Sequence, residues 1–278
     1  MTAIESMHYH QRDLETRTGE TREGPMSETG VVTAGLLVIG DEILSGRTKD
    51  KNIGYIAEYL TAIGIDLKEV RVIADDEAAI VEAVNALRAR YTYLFTTGGI
   101  GPTHDDITAD CVAKAFGVPL ELDPRAVAIL RERFTPRGVE LNEARLRMAR
   151  VPKGGELIEN KVSGAPAFRI GNVIVMAGVP AIMQAMLDAA APTLKTGVKM
   201  LSESVRADLR EGDIGGPLGE IARAHPQTSI GSYPFFDDKR GPNTNVVIRA
   251  RDAAKLAAAK GDVEAMLAKI RGQMKAAN

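Results

Sequence analysis

An α/β fold, built on a doubly wound and mostly parallel sheet with a small C-terminal α+β unit, is predicted by three observations. Short apolar runs alternate with segments of helical period from Val32 to Leu194. The loops that follow those runs are rich in glycine and acidic residues, as ligand-binding loops at strand ends are. After about Met200 the rhythm changes to strand, helix, strand, strand and helix. These observations divide the chain into a flexible tail over 1–29, an α/β domain over 30–197 and a small domain over 198–278, with Lys195-Thr196-Gly197 as the linker.

The elements follow in order. Thr33 to Ile39 is a continuous apolar run, the pattern of a strand buried on both faces. Asn52 to Ile63 places Ile53, Ile56, Ala57, Leu60 and Ile63 on one helical face, and Gly64 supplies the stop. Leu67 to Ile73 is the next strand, and Glu77 to Arg90 is a helix with Ile80, Val84 and Leu87 inward. Tyr91 to Thr97 is the third strand. Thr108 to Phe116 is a helix ended by Gly117. Asp123 caps a helix that starts at Pro124 and runs to about Phe134. Asn142 to Arg150 reads as a further short helix. Phe168 to Ile170 and Asn172 to Ala177 form a strand pair, and Pro180 to Leu194 is helical. In the small unit Met200 to Leu209 is a strand, Ile214 to Ala224 a helix, and Thr228 to Phe236 and Thr244 to Arg251 strands. An Ala-rich helix from Ala253 to Met274, with a break expected at Gly261, is read as a solvated cover.

Four loops fall at the carboxyl ends of the predicted parallel strands: Gly40 to Gly46, Ala74-Asp75-Asp76, the turn beginning at Gly98, and Gly178-Val179-Pro180. The third carries the sharpest chemistry. Thr97-Gly98-Gly99-Ile100-Gly101-Pro102-Thr103-His104-Asp105-Asp106-Ile107-Thr108 puts three glycines within four positions, so the backbone can turn with positive φ and a ligand can approach without meeting a Cβ. Free N–H groups in such a turn, beside a helix start, make an anion site. Two aspartates beside an anion site are electrostatically wrong unless a cation stands between them and the guest. The segment therefore points to a phosphate-bearing ligand held partly through Mg²⁺ or a similar ion, which bridges carboxylates to phosphate oxygens. The spacing is neither that of a dinucleotide fingerprint nor that of a P-loop. A purely structural reading of the aspartates also stands: Thr103-x-x-Asp106 resembles a capping box, worth about 1 kcal/mol.

Composition narrows the partners. Apolar residues are 45% and charged residues 26% of the chain, the balance of an ordinary soluble globule. The net charge is −2 and there is no Trp, so no basic, aromatic-lined nucleic-acid groove is expected. Cys111 is the one cysteine, which excludes an intrachain disulfide; it reads as a small buried hydrophobe rather than a nucleophile. The run from Val31 to Ile39 is too short to span a bilayer. The first 25 residues lack an apolar stretch and carry Glu5, Asp13, Glu15, Glu20 and Glu23, so neither a secretory signal nor a transit peptide is expected, and a cytoplasmic location follows. His8-Tyr9-His10 is read as tail rather than as a metal site. Met26 stands as an alternative translation start, which N-terminal sequencing would test.

Gly40-Asp41-Glu42-Ile43-Leu44-x-Gly46, Asp50-x-Asn52, Asp75 and the glycine-aspartate block resemble the molybdopterin-binding fold of the CinA family. They also resemble the molybdopterin-binding-like domain at the front of FAD synthases. Pro152-Lys153-Gly154, Asn160, Ser163-Gly164-Ala165-Pro166-x-Phe168, Gly178-Val179-Pro180 and Gly231-Ser232-Tyr233-Pro234 continue the likeness, which spans about 33 to 273. Three positions depart from the common family pattern: Ala167 replaces a glycine, Ala177 a proline and Ile182 a glutamate, the last removing one acid from the rim. A deamidase domain carried by some competence-type relatives is not expected here.

The resemblance implies two chemistries. One is the binding of molybdopterin and its adenylylation or carriage; the other is metal-dependent hydrolysis of nucleotide pyrophosphates such as ADP-ribose or FAD, which the domain layout favours. On that reading the N–H groups of Gly98, Gly99 and Gly101 hold the diphosphate, with Thr97, Pro102, Thr103, Gly164, Gly178 and Pro180 around it. Asp106 with Asp105 or Asp75 holds the ion, and Glu42 orients a water or caps the next helix. Asp106 and Asp110, four apart, are expected to share a helical face, and of Asp105 and Asp106 one is expected to be ligand and one cap. Asp50 and Asn52 bind a ribose or pterin edge, or cap a helix. A dimer or trimer is implied, and a binding protein without turnover remains the competing reading.

Overall fold

A computed structural model describes residues 30–239 and 241–276. The tail, with His8, His10 and Met26, lies outside the described residues. In chain order the elements are β1 (Val32–Ile39), α1 (Asp41–Leu44), α2 (Asn52–Ala62), β2 (Ile65–Ile73), α3 (Glu77–Arg90), β3 (Tyr93–Thr97) and α4 (Thr108–Phe116). They continue with β4 (Leu120–Leu122), α5 (Pro124–Phe134), α6 (Glu143–Leu146), β5 (Arg150–Pro152), β6 (Glu156–Ile158), β7 (Ala167–Ile170), β8 (Val173–Met176) and α7 (Pro180–Ala190). The last are β9 (Leu201–Arg206), α8 (Glu211–Ala224), β10 (Ser229–Asp237), β11 (Gly241–Ala250) and α9 (Ala253–Ala276).

The main sheet has the order β2-β1-β3-β8-β7-β6. Its first four strands are parallel, and β7 and β6 add an antiparallel end. Alternation along β1 shows why it winds on both faces. Leu36 and Val38 enter a core with Ile56 and Leu60 of α2 and Met183 and Leu187 of α7. Leu37 and Ile39 enter a second core with Ile80, Val84 and Leu87 of α3 and Cys111 and Val112 of α4. The chain leaves β1 toward β2 and later returns to β3 on the other side of β1. The crevice at that reversal is where ligands of such sheets bind.

Several short elements escape the periodicity. The segment read as one helix from Asn142 to Arg150 is α6, a 3₁₀ turn over Arg147–Ala149, and then β5, which pairs with β4. Neither β4 nor β6 is long enough to display a period of two. The loop from Gly40 to Gly46 contains the single-turn helix α1.

In the C-terminal unit an antiparallel sheet of order β10-β11-β9 packs beneath α8 and α9. Helix α9 runs through Gly261 without a break. It is more than a solvated cover, since Leu256, Ala259, Val263 and Leu267 lie in the core against Val246 and Ile248. Arg251 ties this unit to the main one through Asp66 of β2, at 2.7 Å. No helix among the described residues is long and apolar enough to cross a membrane.

Candidate functional site

The four loops meet at one rim because β2, β1, β3 and β8 run the same way. Backbone bonds stitch their ends together: the Gly40 N–H donates to Ile73 O, and the Gly98 N–H donates to Met176 O at 3.1 Å. Gly98 has to be glycine. Its φ is +103°, and a Cβ there would stand 2.1 Å from the carbonyl oxygen of Ile39. A Cβ on Gly178 would come within 3.3 Å of the Gly98 α-carbon, so two glycines let neighbouring loops touch.

The glycine turn is closed by Thr108, whose N–H donates to Gly99 O and whose hydroxyl donates to Gly98 O. The Gly98 N–H, expected to face a ligand, is therefore engaged within the fold. The N–H groups of Gly99 and Gly101 donate to no protein acceptor among the described residues. They are the turn's open donors.

Asp106 lies ahead of α4, not on it, so it shares no helical face with Asp110. Its carboxylate accepts from the Thr103 N–H at 2.8 Å and from the Thr103 hydroxyl, closing a small turn. Asp110 is held in a two-pronged pair by Arg150, at 3.0 and 2.8 Å. Neither of the adjacent aspartates caps α4, whose N-cap is Ile107 without a side-chain bond: Asp106 is turned onto Thr103, and Asp105 is exposed. Hydrogen bonding from Thr103, whose hydroxyl it shares with Asp106, and from its own backbone amide holds Asp105 below the usual carboxylate range; desolvation opposes this, and the charges of His104 and Arg147 add to it.

Asp75, at the end of β2, behaves in the opposite way. Burial pushes its carboxyl above the ordinary range, and the charges of Asp41, Glu42 and Asp105 push it further; the Asp41 N–H, donating to it at 3.0 Å, acts against them. Among the described residues, no group of three or more His, Cys, Asp and Glu side chains is placed to hold a metal by itself. Mg²⁺ needs only one or two carboxylates, taking waters and phosphate oxygens for the rest.

On the α2 side, Asp50 accepts from the N–H groups of Asn52 and Ile53 at 3.1 and 2.8 Å, so its capping role is real. The Asn52 side chain donates to Gly178 O across the strand ends at 2.8 Å. Thr97, Asn52, Asp50, Glu42, Gly178 and Pro180 line a common cleft of about 60 Å³.

Gly164 does not join the rim. A Cβ on it would meet the Arg133 stem at 2.7 Å. Its loop reaches the glycine turn through Pro166 instead, which shares a small recess with Gly99, Gly101 and Arg147. His104 is fully exposed. Cys111 is buried, with its thiol pushed up to about 12 chiefly by desolvation, which suits a small hydrophobe. Pro102 and Thr103 remain in the exposed part of the turn. Arg147 carries no signal in the linear pattern. It stands 41 residues beyond the turn yet donates to the Asp106 carbonyl at 3.0 Å.

Fold and rim together define a doubly wound α/β protein with a glycine-turn crevice at its strand ends. Residues 35–196, more than half of the chain, match the family described as a probable molybdopterin binding domain, and the chain belongs to that family. Residues 199–272 match the middle domain of FAD synthase. A protein of Aeropyrum pernix is 31% identical over 247 residues, covering 86% of this chain and 92% of its own length. A CinA-like protein of Myxococcus xanthus is 35% identical over 157 residues, which are 55% of this chain and 37% of that longer protein. The crystal structure of CinA from Thermoplasma acidophilum, a protein of unknown function, is 33% identical with a TM-score of 0.55, covering 59% of this chain and 98% of that one. The resemblance read from the glycine and aspartate motifs is therefore borne out.

Proposed function

We propose that the chain binds a phosphorylated pterin or nucleotide at the carboxyl rim of the parallel sheet and, with a divalent cation, hydrolyses a phosphoanhydride bond in it. One observation carries this reading: the N–H groups of Gly99 and Gly101 donate to no acceptor among the described residues, and Asp105 of the same turn acts by its charge on Asp75, a carboxyl already pushed up by burial and by Asp41 and Glu42. An anion 4 Å from one of those carboxylates would be repelled by about 4 kcal/mol at an effective dielectric of ~20. Two amide hydrogen bonds return only about 1 kcal/mol each. A phosphate is tolerated there when a cation neutralises the acids.

Asp75, with Asp105 or Glu42, would hold that ion. When bound, it supplies polarisation of a phosphoryl oxygen and a water of lowered pKa. The chain's own groups orient the substrate: Gly99 and Gly101 aim N–H donors at the phosphate, and Arg147 steadies the turn through the Asp106 carbonyl. The description of the 35–196 match supports molybdopterin as a ligand class, and that of the 199–272 match supports FAD, a nucleotide pyrophosphate. A dimer or trimer and a cytoplasmic location belong to the same reading.

A carrier without turnover is the second reading, favoured by Ile182. At the position where the resemblance implies a glutamate, Ile182 of α7 packs against the apolar core. Incubating the protein with FAD or ADP-ribose and Mg²⁺ separates the two. The expected result is AMP release that Asp75→Asn lowers about 100-fold. AMP release that survives the substitution within a few-fold removes Asp75 from the chemistry. No AMP, together with tight pterin binding, establishes the carrier.

A further inference from the structure

The two edges of the main sheet are finished in different ways. At β2 the charges are answered inside the chain: Asp66 pairs with Lys68 and Arg251, and Glu69 with Arg71 and Arg90. At the other end, the outer side of β6 has no strand beside it. Between that edge and α7 runs a cleft of about 410 Å³, which shares no lining residue with the cleft or the recess at the rim. Ile158 and Ala189 bring the apolar core to its wall. Glu156, Glu159 and Asp188 stand around it with Lys161 and Arg169. Among the described residues Glu156 forms no hydrogen bond or ion pair. Lys161 lies 3.9 Å from Glu159, and both are largely exposed.

An unpaired sheet edge beside a partly apolar cleft is a place for a further chain to seat. Charge says which chain. Three acids and two bases share the patch, so a partner of one sign would satisfy one set and repel the other. A second copy brings both signs. An isologous contact presents the same patch from both sides, and a two-fold axis through the cleft sets Glu156 of each copy against the partner's Lys161. We infer that this cleft, with the edge of β6, is the interface of a two-fold dimer of this chain. The inference deepens the oligomer named under the proposed function by giving it one symmetry and one surface. Position keeps it apart from the chemistry, since Ala189 stands nine residues down α7 from Pro180, about 14 Å from the rim.

Sedimentation velocity on the full chain without ligand, over a range of protein concentrations, tests it. The chain is expected to run as a dimer. Ala189→Arg, which puts a long charged side chain into the cleft, and Glu156→Lys are each expected to raise the dimer dissociation constant about 100-fold or more. Glu156 is exposed, so its variant tests the contact without disturbing the core, and urea midpoints check that both variants fold. Adding Lys161→Glu to Glu156→Lys exchanges the two charges and is expected to restore most of the affinity. Val70→Arg, exposed at the β2 edge, is expected to leave the dimer unchanged. A monomer at every concentration or a trimer overturns the inference. So does a dimer that survives both cleft substitutions, or one that the charge exchange does not restore. Association is read without ligand, so a chain that dimerises in this way yet binds nothing at the rim defeats the rim reading and leaves the interface standing.

Discussion

The rim around Asp75 and the corner around Asp208 are both clusters of charge, completed in opposite ways. At the corner, in the C-terminal unit, Asp208 takes Arg206 at 2.8 Å and the Asn243 amide at 3.2 Å, with Arg271 at 3.9 Å. Arg206 in turn reaches Asp237 at 2.6 Å and lies over the Phe235 ring at 5.2 Å. Acids and bases there answer one another. At the rim, Asp75 has a backbone donor from Asp41, and the charges that act on it are three further acids. A cluster closed on itself needs no guest. One in which acids face further acids, as around Asp75, is stable only because solvent, a proton or a cation can reach it.

The strongest way to break this comparison is Gly98→Ala. The new Cβ would fall on the Ile39 carbonyl in a left-handed backbone, so a loss of about 3 kcal/mol or more is expected. Urea unfolding measures it, and a midpoint within error of the original would show that the loops are not locked as described. Next comes Asp75→Asn, read as stability. A carboxyl whose folded pKa is raised contributes stability that is fully present below its unfolded pKa, about 3.9, and lost as pH rises through the folded value. At neutral pH the charged Asp75 thus works against the fold. Its replacement by Asn is expected to raise the urea midpoint at pH 7 while AMP release falls, and the gain should shrink as the pH is lowered through the carboxylate range. A midpoint that drops at pH 7 would show Asp75 to be a structural acid. The smallest effect belongs to the corner. Arg206→Ala, at a site 41% exposed, is expected to cost about 1 kcal/mol or less and to leave AMP release unchanged. A large loss of turnover would erase the contrast between the two clusters.

Much of the architecture is legible in linear order. The strand ending at Ile39, the helix Glu77–Arg90, the helix Thr108–Phe116 with Gly117 at its end and the cap at Asp123 all follow from apolar period and end signals. These are local effects, set within a few residues of one another. The glycine turn was legible too, because φ > 0 at Gly98 and Gly99 demands residues without a Cβ. The short strands β4, β5 and β6 were not, since three residues carry no period and pairing partners supply the reason for their shape. Arg147 was also invisible, because its bond to the Asp106 carbonyl spans 41 residues.

Order along the chain thus determined the class of fold, the four rim loops and the presence of acids among glycines, because hydrophobic period and backbone sterics act locally. Which acid faces which charge was decided only by the tertiary structure. Asp106 turns onto Thr103, Asp110 pairs with Arg150, and Asp75 is left among its own kind. Electrostatics depends on distance through space and on burial, and the spacing of residues along a chain encodes neither.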